Sequence, residues 1–293
     1  MKHYLDPIIV AKLSTMYLKA KFIVEGFISG LHSSRFKGHS LEFAQHREYS
    51  FGDELKHLDW TVYAKSDKYF IKQYEEETNL KSYILLDASA SMGYKSNGIS
   101  KLEYASYIAA SLAYMMIKQG DSVGLLVYDS EIKKNIPPRS NLSHLSVILD
   151  ELSNINCTGK TDISKILMEF SKNLKKRTLI ILLSDLFEDQ ESIIKAIKNY
   201  RFAKHEVIVF HILDAIEETL NIPGNVLFRE LENENTLITE PDIIKKEYRK
   251  LISDFIEKYK HEFHKSDIDY SYLNTSMPLD LALTNYLSKR ENI

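Results

Sequence analysis

Three short stretches place oxygen-bearing side chains where a small loop could gather them. In "SYILLDASASMGYKS", Ser82–Ser96, an apolar run ends in Asp87, and Ser89 and Ser91 follow at two-residue intervals. "TGKTDI" puts Thr161 in a loop directly before a helical stretch, and "IILLSDL" ends a second apolar run in Asp185. A hard divalent cation such as Mg2+ takes oxygen ligands in a near-octahedral arrangement and keeps waters where the protein offers few. Two carboxylates and three hydroxyls suit that chemistry, with Mn2+ or Ca2+ as the other candidate ions. Such a set binds an ion weakly and leaves a position open to a Glu or Asp of another protein, which is a device for binding. Hydrolysis would need a positioned base or nucleophile with an activating partner. Asp129, Asp162 and Asp214 are the further acids available for it, and none has such a partner in sequence. A metal-dependent phosphate-ester hydrolase built on Asp87 is the alternative reading.

These residues need strands to present them. Short apolar runs rich in Ile, Val, Leu and Tyr predict strands at Ser82–Asp87, Ser122–Asp129, Arg177–Asp185, Glu206–Asp214 and Ile268–Asn274. Periodic stretches predict helices at Lys101–Lys118, Asn141–Ser153, Asp162–Leu174, Asp189–Phe202 and Asp242–His264, with Ser100, Asn141 and Asp162 as caps. Ile132–Pro137 reads as a short edge strand, because Pro137 and Pro138 cannot donate to an inner ladder. Phe228–Ile238 reads as a hairpin inserted before the long helix. The alternation predicts an α/β fold, a doubly wound, mostly parallel sheet with helices on both faces. Ligands in that architecture gather at the carboxyl ends of strands, and three strands here end in Asp87, Asp185 and Asp214.

The set D-x-S-x-S after a strand, G-x-T-D before a helix and S-D after another strand resembles the metal-ion-dependent adhesion site of von Willebrand factor A domains. The resemblance implies Asp87, Ser89 and Ser91 as first-loop ligands, Thr161 as the second-loop ligand and Asp185 as the third-loop group. The upstream stretch "GHSLEFAQHREYSFGDELKHLDWTVYAKSDKYFIKQYEEE" resembles the bacterial family called domain of unknown function 58, in which such a segment precedes an A-type domain. The likeness extends to the closing "DYSYLNTSMPLDLALTNYLSKR". It implies an adaptor working with a MoxR-type AAA+ ATPase in protein remodelling or maturation. Lys65 stands where that pattern has arginine after D-W, which keeps the charge and loses the bidentate fork.

The chain accordingly divides, in this reading, into an N-terminal segment, 1–80, packed on an A-type domain, 81–293, with the hairpin near 226–239. Only Lys68–Tyr74 of the first part reads as a strand. The opening thirty residues carry apolar positions at a near-helical period, interrupted by Lys12, Lys19 and Lys21, and predict a helix docked on its own domain instead of a membrane span. Among 293 residues, 38 basic and 41 acidic side chains are well mixed, which argues against nucleic acid as a partner. Membrane contact is expected only indirectly. The lone Cys157 points to a reducing, cytoplasmic setting and a packing role. "CTGKTD" fails as a phosphate-binding loop, since Asn154 stands where the first glycine is required. His32, His39, His46 and His57 lack metal-ligand spacing. Asp53, Asp59 and Trp60 are read as turn-fixing or partner-facing residues, and Glu75–Glu77 as a solvated strand end.

Overall fold

A computed structural model describes residues 5–31, 46–48, 70–72, 81–224, 226–229, 236–281 and 283–284. The chain forms two compact units, one made of Met1–Gly30 with Leu80–Ile293 and the other of Leu31–Asn79. The boundary expected near residue 80 therefore marks one end of the second unit, while residues up to Gly30 group with the sheet. The cause lies in helices α1 (Pro7–Ala11) and α2 (Met16–Leu31), which bury Val10, Ala20, Ile23, Val24 and Phe27. Tyr17 meets Tyr114 edge-on, and the Lys19 ammonium donates to the Tyr107 hydroxyl at 3.2 Å, fastening α2 to the helix that carries both tyrosines. No helix among the described residues is long and apolar enough to cross a membrane.

In the second unit, β1 (His46–Glu48) pairs antiparallel with β2 (Phe70–Lys72), which lies within the strand expected at Lys68–Tyr74. His32, His39, His57, Asp53, Asp59, Trp60, Lys65 and Glu75–Glu77 lie outside the described residues.

The large unit is built on a six-stranded sheet. Its strands are β3 (Lys81–Asp87), β4 (Ser122–Tyr128), β5 (Ile132–Arg139), β6 (Leu179–Ser184), β7 (Glu206–Leu213) and β10 (Asp269–Asn274), and the spatial order is β10-β7-β6-β3-β4-β5. All neighbours run parallel except β4 and β5. A strand covered on both faces needs no polar alternate positions, and Leu179–Ser184 is buried at every residue. The edge strand continues two residues past Pro137, and both prolines are tolerated because they sit where the β4–β5 register shifts, between the pairs Leu125–Ile136 and Val123–Arg139. Gly124 permits the close pairing there: a Cβ on it would stand 2.7 Å from the Ile136 carbonyl oxygen.

The hairpin β8 (Val226–Arg229) and β9 (Thr236–Thr239) pairs antiparallel ahead of the long helix α8 (Pro241–His264). The other helices are α3 (Lys101–Lys118), α4 (Leu142–Asn154), α5 (Ile163–Ser171), α6 (Gln190–Phe202) and the short α7 (Ala215–Thr219). Ser100, Asn141 and Asp162 cap α3, α4 and α5 as expected, Ser100 in a capping box with Glu103. One face of the sheet packs Leu85, Leu126, Ile180 and Val209 against Ile166, Phe170, Ile197, Tyr259 and Phe263 of the helices. Burying each such side chain contributes roughly 1.5–3 kcal/mol. Because the chain leaves β3 toward β4 on one side and returns at β6 on the other, the carboxyl ends of β3 and β6 flank the switch point of the sheet.

Candidate functional site

Asp87 ends β3 and is fully buried. Its Oδ1 accepts the Ser89 N–H at 2.9 Å, a turn that starts the first loop, and the loop closes in a 3-10 turn at Ala90–Gly93. The Ser89 and Ser91 hydroxyls then stand 3.1 Å apart. The second loop is clamped to the first by two backbone bonds, Thr158 N–H to the Ala88 carbonyl and Ala90 N–H to the Gly159 carbonyl, both 3.0 Å. Gly159 holds this approach at φ 65°, and a Cβ there would meet Asp129 Oδ2 at 3.0 Å. Two residues further on, the Thr161 hydroxyl is buried and has no hydrogen-bond partner.

The third loop leaves β6. Ser184 donates to Asp87 Oδ2 at 2.7 Å and accepts the Leu186 N–H at 3.0 Å. Asp185 is fully buried, and the Lys101 ammonium of α3 donates to its Oδ2 at 2.8 Å. The same ammonium donates to Glu217 Oε1 of α7 at 2.7 Å. Glu188, further along the loop, accepts the Ile163 N–H at 2.5 Å and the Ser164 hydroxyl at 2.7 Å, tying the start of α5 to the third loop.

The electrostatics separate the two carboxylates. Burial, followed by the charge of Asp185, pushes the Asp87 carboxyl up to about 7. Burial also works against charge on Asp185, yet the Lys101 ammonium, the Ser91 hydroxyl and the Phe187 N–H outweigh it and hold that carboxyl below its usual range. Glu217 stays raised because its burial outweighs Lys101. Lys101 is raised because its two carboxylates outweigh its burial. Burial pushes the Cys157 thiol up to about 12, so it stays protonated and inert near neutral pH.

The three loops thus carry Asp87, Ser89, Ser91, Thr161 and Asp185 at one end of the sheet, and the donor set is oxygen throughout. Among the described residues no three His, Cys, Asp or Glu side chains form a metal-holding group, so zinc-type ligation has no candidate there. The acids considered as catalytic alternatives are engaged. Asp129 takes the Glu131 N–H, the Thr158 hydroxyl and the Lys133 ammonium. Asp162 caps α5. Asp214 accepts four donors from the protein. Sequence reasoning did not find Lys101, Ser184, Glu188 or Glu217, whose roles arise from pairings distant in the chain; the serine before Asp185 was the one local signal.

A mostly parallel sheet with helices on both faces and acid-bearing loops at its central strand ends is a von Willebrand factor A-like domain. The protein matches the family described as protein of unknown function DUF58 over residues 45–261, most of its length, and belongs to that family. An uncharacterized protein of Mycobacterium tuberculosis is 23% identical over 233 residues, 78% of this chain and 72% of that one. The crystal structure of the conserved hypothetical protein BatB from Bacteroides thetaiotaomicron superimposes with a TM-score of 0.50 at 18% identity, covering 73% of this chain and 100% of BatB. The VWA domain of SpRpn10 superimposes with a TM-score of 0.43 at 10% identity, over 70% and 93% of the two chains.

Proposed function

We propose that this protein is a non-enzymatic adaptor that holds a divalent cation at the strand ends and uses it to bind a Glu or Asp of a partner protein. The observation that carries the reading is the unpartnered, buried hydroxyl of Thr161 on a loop clamped to the loop of Ser89 and Ser91. Leaving such a group unsatisfied costs about 1–3 kcal/mol, and a cation is a natural recipient of its lone pair. The charges agree. Asp87, Asp185 and Glu217 are three carboxylates against one ammonium, Lys101, so the ionised cluster lacks two positive charges, which one Mg2+ supplies. Asp87, Ser89, Ser91 and Thr161 would hold the ion, with Asp185 adding charge beside them. Mn2+ or Ca2+ could take its place.

Bound there, the ion supplies a Lewis-acidic position for a carboxylate, and the chain's own residues fix its place and exclude water from behind it. The engagement of Asp129, Asp162 and Asp214 favours binding over the phosphate-ester hydrolase, which would need one of them free. A MoxR-type AAA+ ATPase, the partner class that the family resemblance carries, is the first to test, in a cytoplasmic setting.

Thermal unfolding of the wild type and of Ser89→Ala/Ser91→Ala across Mg2+, Mn2+ and Ca2+ titrations tests the ion. A saturable rise of the wild-type midpoint that the double variant lacks is expected. Co-purification of the ATPase with and without chelator tests the partner. No shift at millimolar metal together with chelator-resistant binding would reject the adhesion mechanism.

A further inference from the structure

Lys101 occupies an unfavourable place for a cation. It is the first residue of α3, where the positive end of the helix dipole repels it, and it is entirely buried. Its neighbours are built to hold it. Asp185 Oδ2 and Glu217 Oε1 accept from it at 2.8 and 2.7 Å, and the Phe187 ring lies 5.0 Å beneath the ammonium. Glu217 is itself fixed, because its other oxygen accepts the Asp214 N–H at 2.9 Å and its carbonyl accepts the Tyr248 hydroxyl at 2.6 Å. The Phe187 N–H approaches the other Asp185 oxygen, Oδ1, at 3.3 Å, and the Ser91 hydroxyl also bonds this carboxylate. Buried ion networks of this kind seldom stabilise a fold more than apolar residues of the same volume would. A purpose other than stability is the better explanation.

We infer, resting on the metal reading above, that Lys101 is a positioning residue that keeps the Asp185 carboxylate off the ion. With its oxygens held by the Lys101 ammonium, the Phe187 N–H and the Ser91 hydroxyl, Asp185 would reach the ion only as an outer neighbour. The ion then has Asp87 as its one carboxylate ligand and retains positive charge. It binds weakly by itself and tightly once a partner's carboxylate arrives, so the metal site fills together with the interface. Lys101 sets this balance by lowering affinity for the ion and raising affinity for the acid that completes it.

The test measures Mn2+ binding by paramagnetic resonance of the free ion. Entry of acetate, as the carboxylate probe, is read from the water-proton relaxation of the bound ion. The proteins are wild type, Lys101→Met and Lys101→Met/Glu217→Gln, the last of which removes one charge of each sign. Releasing Asp185 should tighten Mn2+ about tenfold or more and weaken acetate about threefold or more, since a unit charge a few ångströms from the ion is removed. The opposed signs are what a merely structural role would not produce. Joint loss of both affinities, or no change in either, overturns the role of Lys101 while leaving the metal reading intact. Failure of wild type and both variants alike to bind millimolar Mn2+ overturns both. If the variants do not fold, an anomalous-scattering structure of Mn2+-loaded wild type decides. Asp185 still on Lys101 and more than about 3 Å from the ion is expected, and direct ligation at about 2.1 Å overturns the inference.

Discussion

Asp87 and Asp214 occupy the same kind of place and serve different ends. Each is a fully buried carboxylate just at or past the carboxyl end of a parallel strand, Asp87 on β3 and Asp214 after β7. Asp214 accepts the Ser96 N–H at 3.1 Å, the Ile216 N–H at 2.8 Å, the Thr275 hydroxyl at 3.2 Å and the Ser96 hydroxyl as well. Those four donors saturate it and latch the first loop to β10 and α7. Asp87 receives the Ser89 N–H and the hydroxyls of Ser184 and Ser89, one donor fewer than Asp214, and it faces the charge of Asp185. Position in the topology thus offers a carboxylate, whereas the donors around it decide whether the carboxylate is a fastener or a ligand.

The largest effects should separate these two residues cleanly. Asp87→Ala is expected to lower Mn2+ affinity at least about 100-fold, about 2.7 kcal/mol. Asp214→Ala should leave that affinity within about threefold and lower unfolding free energy by about 3 kcal/mol, because it strands several buried donors. Calorimetric metal titration and denaturant unfolding of both variants check this. Equal losses of metal affinity in the two would erase the distinction.

The same contrast explains what could be read from the chain. The strands were legible because continuous apolar runs such as Leu179–Leu183 have few alternatives to a doubly covered sheet, and the caps Ser100, Asn141 and Asp162 act on residues three positions away. Helix α5 ends at Ser171, short of the Leu174 expected from periodicity, because the chain turns there toward β6. The loop residues from Asp87 to Asp185 stood out through local spacing. Lys101 did not, since its meaning depends on Asp185 and Glu217, 84 and 116 residues away. Spacing marked Asp87 through Ser89 and Ser91, whereas the saturation of Asp214 by Ser96 and Thr275 is a tertiary fact.

Two buried groups at the strand ends give stability opposite pH dependences. His211 lies on β7, in register with Ser184 and three residues before Asp214, with its Nδ1 2.6 Å from the Tyr270 hydroxyl. Burial pushes its pKa down to about 3. The unfolded chain then binds a proton that the folded chain refuses between about pH 6.5 and 3, so His211 costs stability as pH falls through that window, about 1.4 kcal/mol per unit. Asp87, raised to about 7, acts with the opposite sign: the folded chain holds a proton that the unfolded chain releases, and stability falls as pH rises from about 4 to 7. In metal-free protein the two slopes oppose each other between about pH 4 and 6.5. His211→Gln should therefore make stability fall more steeply with rising pH, and Asp87→Asn should make it fall more steeply with decreasing pH, each by about 1.4 kcal/mol per unit relative to wild type. Urea unfolding at half-unit pH steps in chelator measures both slopes, and variants with unchanged slopes would refute the assignment.

The smallest effects come from two threonines, one on each side of the contrast. Thr161→Val removes a hydroxyl that has no partner in the protein, whereas Thr275→Val removes one that donates to Asp214. Without metal, the first substitution should leave stability unchanged or raise it by up to about 1 kcal/mol, since an unsatisfied buried group disappears. With Mn2+ it should lose about tenfold in affinity, about 1.4 kcal/mol. The second should lower stability by about 1 kcal/mol with or without metal and leave affinity unchanged. Of two nearly isosteric changes, only the second would then lower metal-free stability. That outcome follows only if the Thr161 oxygen is kept for something outside the chain, while a loss of metal-free stability in Thr161→Val would show that the protein itself uses the hydroxyl.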